Sequence, residues 1–453
     1  MGLSGTFAFR LVVMLLFFVL VAGIAPGFDT VAASNSSANQ GVDITADFTD
    51  QAFLSIVRDL VGKPTGPIYD IDVANFEGFT LCSEEVTSCS GLEHFKSLKW
   101  FTCSFNLLTE LDVSKNLKLE ELDCSFNLLT VLDVSKNTEL GLLRCSSNLL
   151  SVLDVSKNSK LVSLVCRDNL LSVLDVSKNS KLNDLCCENN LLTALDVSKN
   201  AELNFLYCKN NSLSLLDVSK NPKLQTLVCE DLSLSVLDVS KNAQLEFLAC
   251  GSNLLSVLDV SKNAELRYLG CQYNLLTVLN MGNHPNLHTL DCSFNQLTAL
   301  DLSNAPKLWL LECNFNLLSV LDVSNKPDLK LFNCRSNQLT ILIMNNDPGL
   351  YSVDCSSNQL TEVDVSSSVY VGRLNCSYNY IPDLSAVKLA RNITGDYETF
   401  TFYPQIGDDP LDGSSDGNGS ELIPLVGVVT ILLCCTVGVV ILIRKRRTKI
   451  CID

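Results

Sequence analysis

Residues 119–139 read LEELDCSFNLLTVLDVSKNTE, and the same pattern fills the chain from about residue 98 to 381. Its cysteine returns every 21 residues, from Cys103 and Cys124 to Cys355 and Cys376, with no insertion or deletion. A fixed period of roughly 20–50 residues marks a stack of supersecondary units, each too small to bury its apolar face alone. Within this copy Leu119, Leu122, Cys124, Leu129, Leu132 and Val134 are apolar at intervals that fit neither one long helix nor one long strand. The chain must coil, and each coil must be covered by its neighbours.

The L-x-x-L-x-C stretch reads as a short strand, so stacked copies predict one long, curved parallel β-sheet on the concave side. Twenty-one residues per turn leave little room for a helix behind it, which predicts 3₁₀ turns or extended chain on the convex side. The pattern is that of a leucine-rich repeat solenoid in which cysteine takes a leucine place. Parallel neighbours lie about 4.8 Å apart, whereas disulfide-bonded Cβ atoms lie at about 3.8 Å. The cysteine ladder is therefore expected as buried thiols rather than bridges.

A second ladder runs through Asn106, Asn127, Asn148 and their equivalents to Asn379. An amide side chain both donates and accepts, so it suits a turn whose backbone groups are shut away from water. Leu232 breaks this series and predicts a weak point. The recurring L-D-V-S-K-N segment places Lys115, Lys136 and the later lysines on the solvated back, with Asp and Ser capping tight turns. Pro285, Pro306, Pro327 and Pro348 stiffen the later turns.

The flanks serve this array. Residues 1–33 read as a secretory signal, with Arg10 before the run Leu11 to Val21 and a small-residue site at Val31-Ala32-Ala33. Residues 34–97 form an N-terminal tail and cap, with an amphipathic helix expected over Asp47 to Lys63. Cys82, 21 residues before Cys103, is the expected irregular first rung, and Cys89 is its potential partner. Asp70 and Asp72 suggest a calcium loop, but Ala74 and Asn75 break that pattern. Residues 98–381 are the repeats, 382–405 the C-terminal cap ending in F-T-F-Y-P-Q, and 406–421 an acidic Gly/Ser stalk. Residues 422–443 are uncharged and long enough for one transmembrane helix. The basic tail at 444–453 follows, and the positive-inside rule puts it in the cytoplasm. The expectation is a single-pass type I protein of the cell membrane with its repeats outside the cell.

The net charge of −17 excludes nucleic acid as a partner. No phosphate loop, nucleophile elbow or metal-ligand cluster is present, so neither an enzyme nor a cofactor is expected. His284 and His288 flank a turn at Pro285, which gives zinc no third ligand. Cys186 stands apart from the ladder and is expected to point outward, as a potentially reactive thiol. Binding is the remaining class. Side chains beside each ladder cysteine point out of the sheet, which gives Phe205, Tyr207, Val228, Phe247 and Tyr268 as the candidate ligand-binding residues. Asp184, Glu188, Lys209 and Glu230 form their expected polar rim. The competing reading is that these aromatics pack on one another across rungs. A second aromatic series, Phe105, Phe126, Phe294 and Phe315, is expected to pack under the turn.

The motif C-x-x-N-x-L-T-x-L-D-V-S-K-N resembles the cysteine-containing repeats of internalin-like surface proteins, in particular the internalin J subclass. Ser90 to Lys99 (SGLEHFKSLK) resembles that family's entry to the first repeat, and the F-Y-P-Q ending resembles its exit. The resemblance spans about residues 47–405. It implies a surface adhesin that binds a protein or glycan on the concave face. Members usually carry a sortase signal L-P-x-T-G ahead of the final apolar run; here that place reads ELIPLVG (Glu421 to Gly427), which favours a plain membrane anchor. The alternative is a structural coat or spacer protein without a dedicated ligand. Sequons at Asn35, Asn210, Asn392 and Asn418 permit glycosylation, and Asn375 also fits the pattern.

Overall fold

The computed structural model describes residues 41–81, 85–368, 371–389 and 399–407. The expected signal, nearly all of the stalk, the apolar segment 422–443 and the basic tail lie outside these residues. So do Cys82 and the sequons Asn35, Asn392 and Asn418. Among the described residues no helix is long and apolar enough to cross a membrane. The chain forms two compact bodies, one reaching Leu297 and including Asn304–Leu308, the other made of Thr298–Ser303 and Trp309 onward.

The first body opens with the expected amphipathic helix α1, Gln51–Val61. Asp50 starts it by accepting from the amides of Ala52 and Phe53 at 2.9 and 3.0 Å. The other Asp50 oxygen holds Thr87 at 2.8 Å (amide) and 2.7 Å (hydroxyl), tying the helix to the first coil. Gly62 ends it in the left-handed region, at φ 69°. The buried face of α1 presents Phe53 and Val57, and Phe53 meets Phe79, which packs on Phe95 and Phe101 with centroids 4.7 and 5.0 Å away. These rings close the apolar end of the stack.

Eleven short parallel strands follow in this body, from Gly78–Thr80 to Thr289–Asp291. From Trp100 on, each pairs with the next 21 residues later, as in Glu121↔Leu142. The first step differs: Gly78 pairs with Trp100 and Phe79 with Phe101, so the register brings Leu81, not Cys82, opposite Cys103. Leu81 is fully buried there. The expected first rung is corrected by one residue, because a longer cap loop precedes the regular period. The second body stacks five strands from Leu310–Glu312 to Thr399–Thr401 in the same parallel manner.

Most of these strands bury only the middle residue, three also bury the last (Val228, Ala249 and Gly270), and the leucines and cysteines flanking the strand fill the coil. All fourteen ladder cysteines are buried thiols. On the back, the L-D-V segment alternates in and out: Leu132 and Val134 are buried and Asp133 is exposed. Alternation of this kind is extended chain, and in later copies it pairs as short parallel strands, Val257–Asp259 with Val278–Asn280 and Val320–Asp322 with Ile341–Ile343. The 3₁₀ segments among the described residues, Thr45–Asp47, Leu92–His94 and Leu384–Ala386, all lie outside the repeats. Of the two alternatives for the back, extended chain with tight turns is therefore the one adopted. In those turns Asp133 accepts from the Ser135 amide at 2.8 Å, and this bond holds its carboxyl below the usual range.

The asparagine ladder ties rung to rung. Asn127 donates to the carbonyls of Cys103, Cys124 and Ser125 at 2.9, 3.1 and 3.2 Å, while its Oδ1 accepts from Leu108 at 3.0 Å. Gln405 ends the ladder by donating to the Cys376 carbonyl at 3.1 Å and accepting from Asn379 and Ile381. Leu232 is buried in the ladder position with no amide to offer. The Leu213 amide thus loses the partner that Leu192 has in Asn211.

A second asparagine ladder was not anticipated. Asn137 donates to the Val113 and Asn116 carbonyls at 2.9 and 3.0 Å, and its equivalents from Asn116 to Asn263 are fully buried. The position is then taken by His284, Ala305, Lys326, Asp347 and Ser368. Asp347 is buried; its Oδ1 accepts from the Lys326 amide at 2.6 Å and its Oδ2 has no partner. Burial pushes its carboxyl up to about 6.

Two outcomes are expected. Leu232→Asn restores a buried four-bond amide and raises stability by about 1–2 kcal/mol; a denaturant midpoint at or below wild type would count against the ladder account. Asp347 keeps its proton in the folded state to about pH 6 but loses it near 3.8 when unfolded. Its contribution to stability is intact below pH 3.8 and is lost as pH rises to about 6. The loss is at most about 3 kcal/mol. Asp347→Asn should therefore be the more stable form at pH 7 and lose its advantage near pH 4, read from paired urea titrations.

Candidate ligand-binding face

The outward strand positions form a continuous face because every pair is in register. Phe205 lies between Asp184 and Thr226, Tyr207 between Cys186 and Val228, and Phe247 between Thr226 and Tyr268. The five candidate residues therefore share one face of four neighbouring strands. They stand out less than expected: Phe205, Tyr207, Phe247 and Tyr268 are half-buried and Val228 is buried. For Phe247 and Tyr268 the reason is their stacking on each other, with centroids 4.2 Å apart and planes at 6°. The next outward places hold only Ala249 and Gly270, and a Cβ on Gly270 would come within 2.9 Å of the Tyr268 hydroxyl. Tyr268 thus lies over a glycine rather than projecting into solvent. Packing across rungs and a shared apolar platform are both present.

Carboxylates surround the platform. Asp184 accepts from the Ser163 hydroxyl at 3.0 Å, and burial raises its carboxyl above the usual range. Burial does the same for Asp291, beyond Tyr268. Glu188 is nearly buried, 3.6 Å from the Lys209 ammonium, and Gln272 donates to Glu230 at 3.2 Å. Burial lifts the hydroxyls of Tyr207 and Tyr268, which therefore stay protonated. The face is an aromatic centre with a net acidic margin.

Cys186 does sit on this face, half-buried, with its thiol 3.6 Å from Glu188. Burial and the Glu188 charge hold its proton well above the ordinary thiol range. That opposes the reactivity considered from sequence, because the thiolate is the nucleophile. Iodoacetamide at neutral pH should modify Cys186 more slowly than a model thiol; faster labelling of the native protein would contradict this environment.

The second aromatic series corrects its expectation. Phe105 and Phe126 are 53% and 40% exposed, stacked 4.2 Å apart outside the turn. The residue two after each cysteine adopts the left-handed region, φ 59° at Phe105 and 56° at Phe126, which turns its side chain outward. Tyr273 and Phe294 stack likewise at 4.4 Å. In the middle copies this row is polar: Asn189 donates to Asp168 at 2.7 Å and Asn210, a sequon residue, donates to Asn189 at 2.8 Å. Asn375 accepts from the Ser377 hydroxyl at 2.8 Å inside a strand.

Other sequence candidates have structural roles. Asp72 pairs with Lys63 and accepts from the Tyr69 amide, and Asp70 accepts from the Val42 amide. His284 is buried in the second ladder, where desolvation pushes its pKa down.

Strands of three residues, a 21-residue period and two amide ladders define a leucine-rich repeat protein. Among solved structures, the functional domain of InlJ from Listeria monocytogenes, which includes a cysteine ladder, matches at 31% identity with a TM-score of 0.63, over 77% of this chain and 73% of that one. The chain belongs to the internalin-like leucine-rich repeat family. YopM from Yersinia enterocolitica matches at 26% identity and TM-score 0.59, over 73% of this chain and 68% of its own. An internalin, inlF, from Listeria monocytogenes shares the fold at 17% identity and TM-score 0.56, over 80% and 100% of the two chains. No family model and no curated protein matches the chain.

Proposed function

We propose that this chain is a surface recognition protein of the cysteine-ladder, internalin J type, binding a protein ligand on its outward strand face. The observation that carries the reading is the contrast within each copy. Inward residues repeat almost unchanged, while the two outward strand residues differ from rung to rung: Asp184 and Cys186, Phe205 and Tyr207, Thr226 and Val228. A scaffold needs no such variety, whereas a binding face does. Aromatic anchors in a dry centre dominate interface energetics. A margin of Asp184, Glu188, Glu230 and Asp291 favours a ligand presenting lysine or arginine, whose cation also stacks well on Tyr and Phe faces. Nothing in the face assembles a nucleophile, base and oxyanion site, so recognition rather than catalysis is the proposal.

The signal, the apolar segment 422–443 and the basic tail support display on the outer face of the cell membrane. The test combines Phe205→Ser, Tyr207→Ser, Phe247→Ser and Tyr268→Ser in the full chain. Adhesion or ligand capture should weaken at least thirtyfold, since one lost hot spot costs about 2 kcal/mol or more. Unchanged adhesion with an unchanged melting curve would sink the strand-face reading and favour a structural coat or spacer.

A further inference from the structure

The first body has another face with an unusual property: it carries no charge. In each copy the six residues that follow the strand-end turn run from the ladder position to the last leucine before the aspartate. In eight successive copies, from 127–132 to 274–279, none of them is Asp, Glu, Lys or Arg. The chain as a whole has a net charge of −17. Three outward rows make up this flank. The first is leucine except at Ser212 and Ser233, with Leu149, Leu170 and Leu191 at 46, 48 and 50% exposed. The second is Ser or Thr, all exposed in the early copies. The third is valine except at Ala194 and Leu215, with Val131, Val152 and Val173 at 70, 71 and 70% exposed. Isolated apolar residues on a surface need no explanation, but a continuous patch above a few hundred Å² marks an interface.

We infer that this uncharged flank joins two copies of the chain, related by a two-fold axis running along the stack. Three observations select a second copy as the occupant. Across eight rungs the exposed apolar side chains amount to on the order of 1,000 Å², against about 800 Å² per partner in a stable interface. Two acidic chains repel wherever their charged surfaces meet, and this flank lets them meet without opposing like charges. The copies share one period, so a two-fold along the stack sets every rung opposite its equal. The leucine row of one copy then faces the valine row of the other, and the Ser/Thr row faces itself. Large side chains meet smaller ones at each step, as an isologous interface requires. The two chains also run in the same direction, as two copies held in one membrane would. This interface is separate from the ligand-binding strand face and stands or falls independently of it.

The experiment uses the full chain in detergent micelles, with mass measured by light scattering. Wild type should be dimeric at micromolar concentration. The triple variant Leu149→Lys, Val152→Lys, Val173→Lys should be monomeric under the same conditions with an unchanged melting curve. A monomeric wild type, or a dimer that survives the triple variant, overturns the inference. Should the triple variant unfold, Ser151→Cys decides. Mild oxidation should link two copies through Cys at that central row far more readily than through Lys157→Cys on the back. Equal yields from the two single-cysteine variants overturn it.

Discussion

The side-chain amide of Asn127 bonds to four backbone groups drawn from two successive coils, its own and the one before, and the rest of the fold depends on that arrangement. A chain that coils tightly enough to bury leucine on both sides must also bury the carbonyls and amides of its corners. Each one left without a partner costs about 1–3 kcal/mol. An amide side chain at the corner satisfies its own turn and the coil before it together. It does so only if those coils stand in one register. A single inserted residue would carry the amide to the wrong height and orphan several groups at once. The unbroken period of the sequence is the imprint of that penalty, repeated at the second ladder on the opposite corner.

Stability in such a stack is a sum over neighbours, so both ends need a substitute for the missing coil. The beginning supplies an aromatic plug beneath α1 with Leu81 in the cysteine place. The end supplies Gln405, whose longer side chain reaches back to the carbonyl of Cys376 and the amides of Asn379 and Ile381. With inward positions and corners committed, variation is confined to outward positions. Two surfaces use that freedom differently. The strand face changes chemistry at every rung, which suits a ligand of irregular shape. The flank stays uncharged through eight copies, mostly leucine, serine or threonine, and valine, which suits a partner having the same period.

The period made the strands, the cysteine ladder and the first asparagine ladder legible from the sequence, because each follows from what a coil must bury. The second ladder was equally regular, yet Asn137 and its equivalents follow lysine in L-D-V-S-K-N. A polar pair on the convex side reads as surface unless the corner geometry is known. Phe105 and Phe126 were misplaced for a different reason. Hydrophobicity says inside, but a left-handed backbone at that place turns the side chain out, and that φ is set by the corner of the coil rather than by the residue type. The candidate site was legible as a set of positions and not as a surface. Register fixed that Phe247 and Tyr268 are neighbours, whereas their stacking, and the way Tyr268 covers Gly270, depends on rotamers that no spacing rule supplies.

Cysteine at the ladder place answers the same constraint as the asparagines. A leucine there would fill more volume at the narrow side of the coil, beside the apolar middle residue of the strand. The thiol is smaller and can also donate: Cys124 reaches the Arg144 carbonyl at 3.6 Å and Cys355 reaches Asn375 at 3.4 Å, each one coil ahead. That gives the strand edge a weak extra link between rungs without enlarging the core. It works only while the sulfur keeps its proton. A row of thiolates at strand spacing would stack like charges in an apolar interior. Burial prevents this by raising the thiol of Cys145, Cys166 and Cys229 well above the ordinary range. The same dryness that makes these sulfurs good packing groups removes them from redox and nucleophilic chemistry. It leaves the outward positions as the ones free to vary.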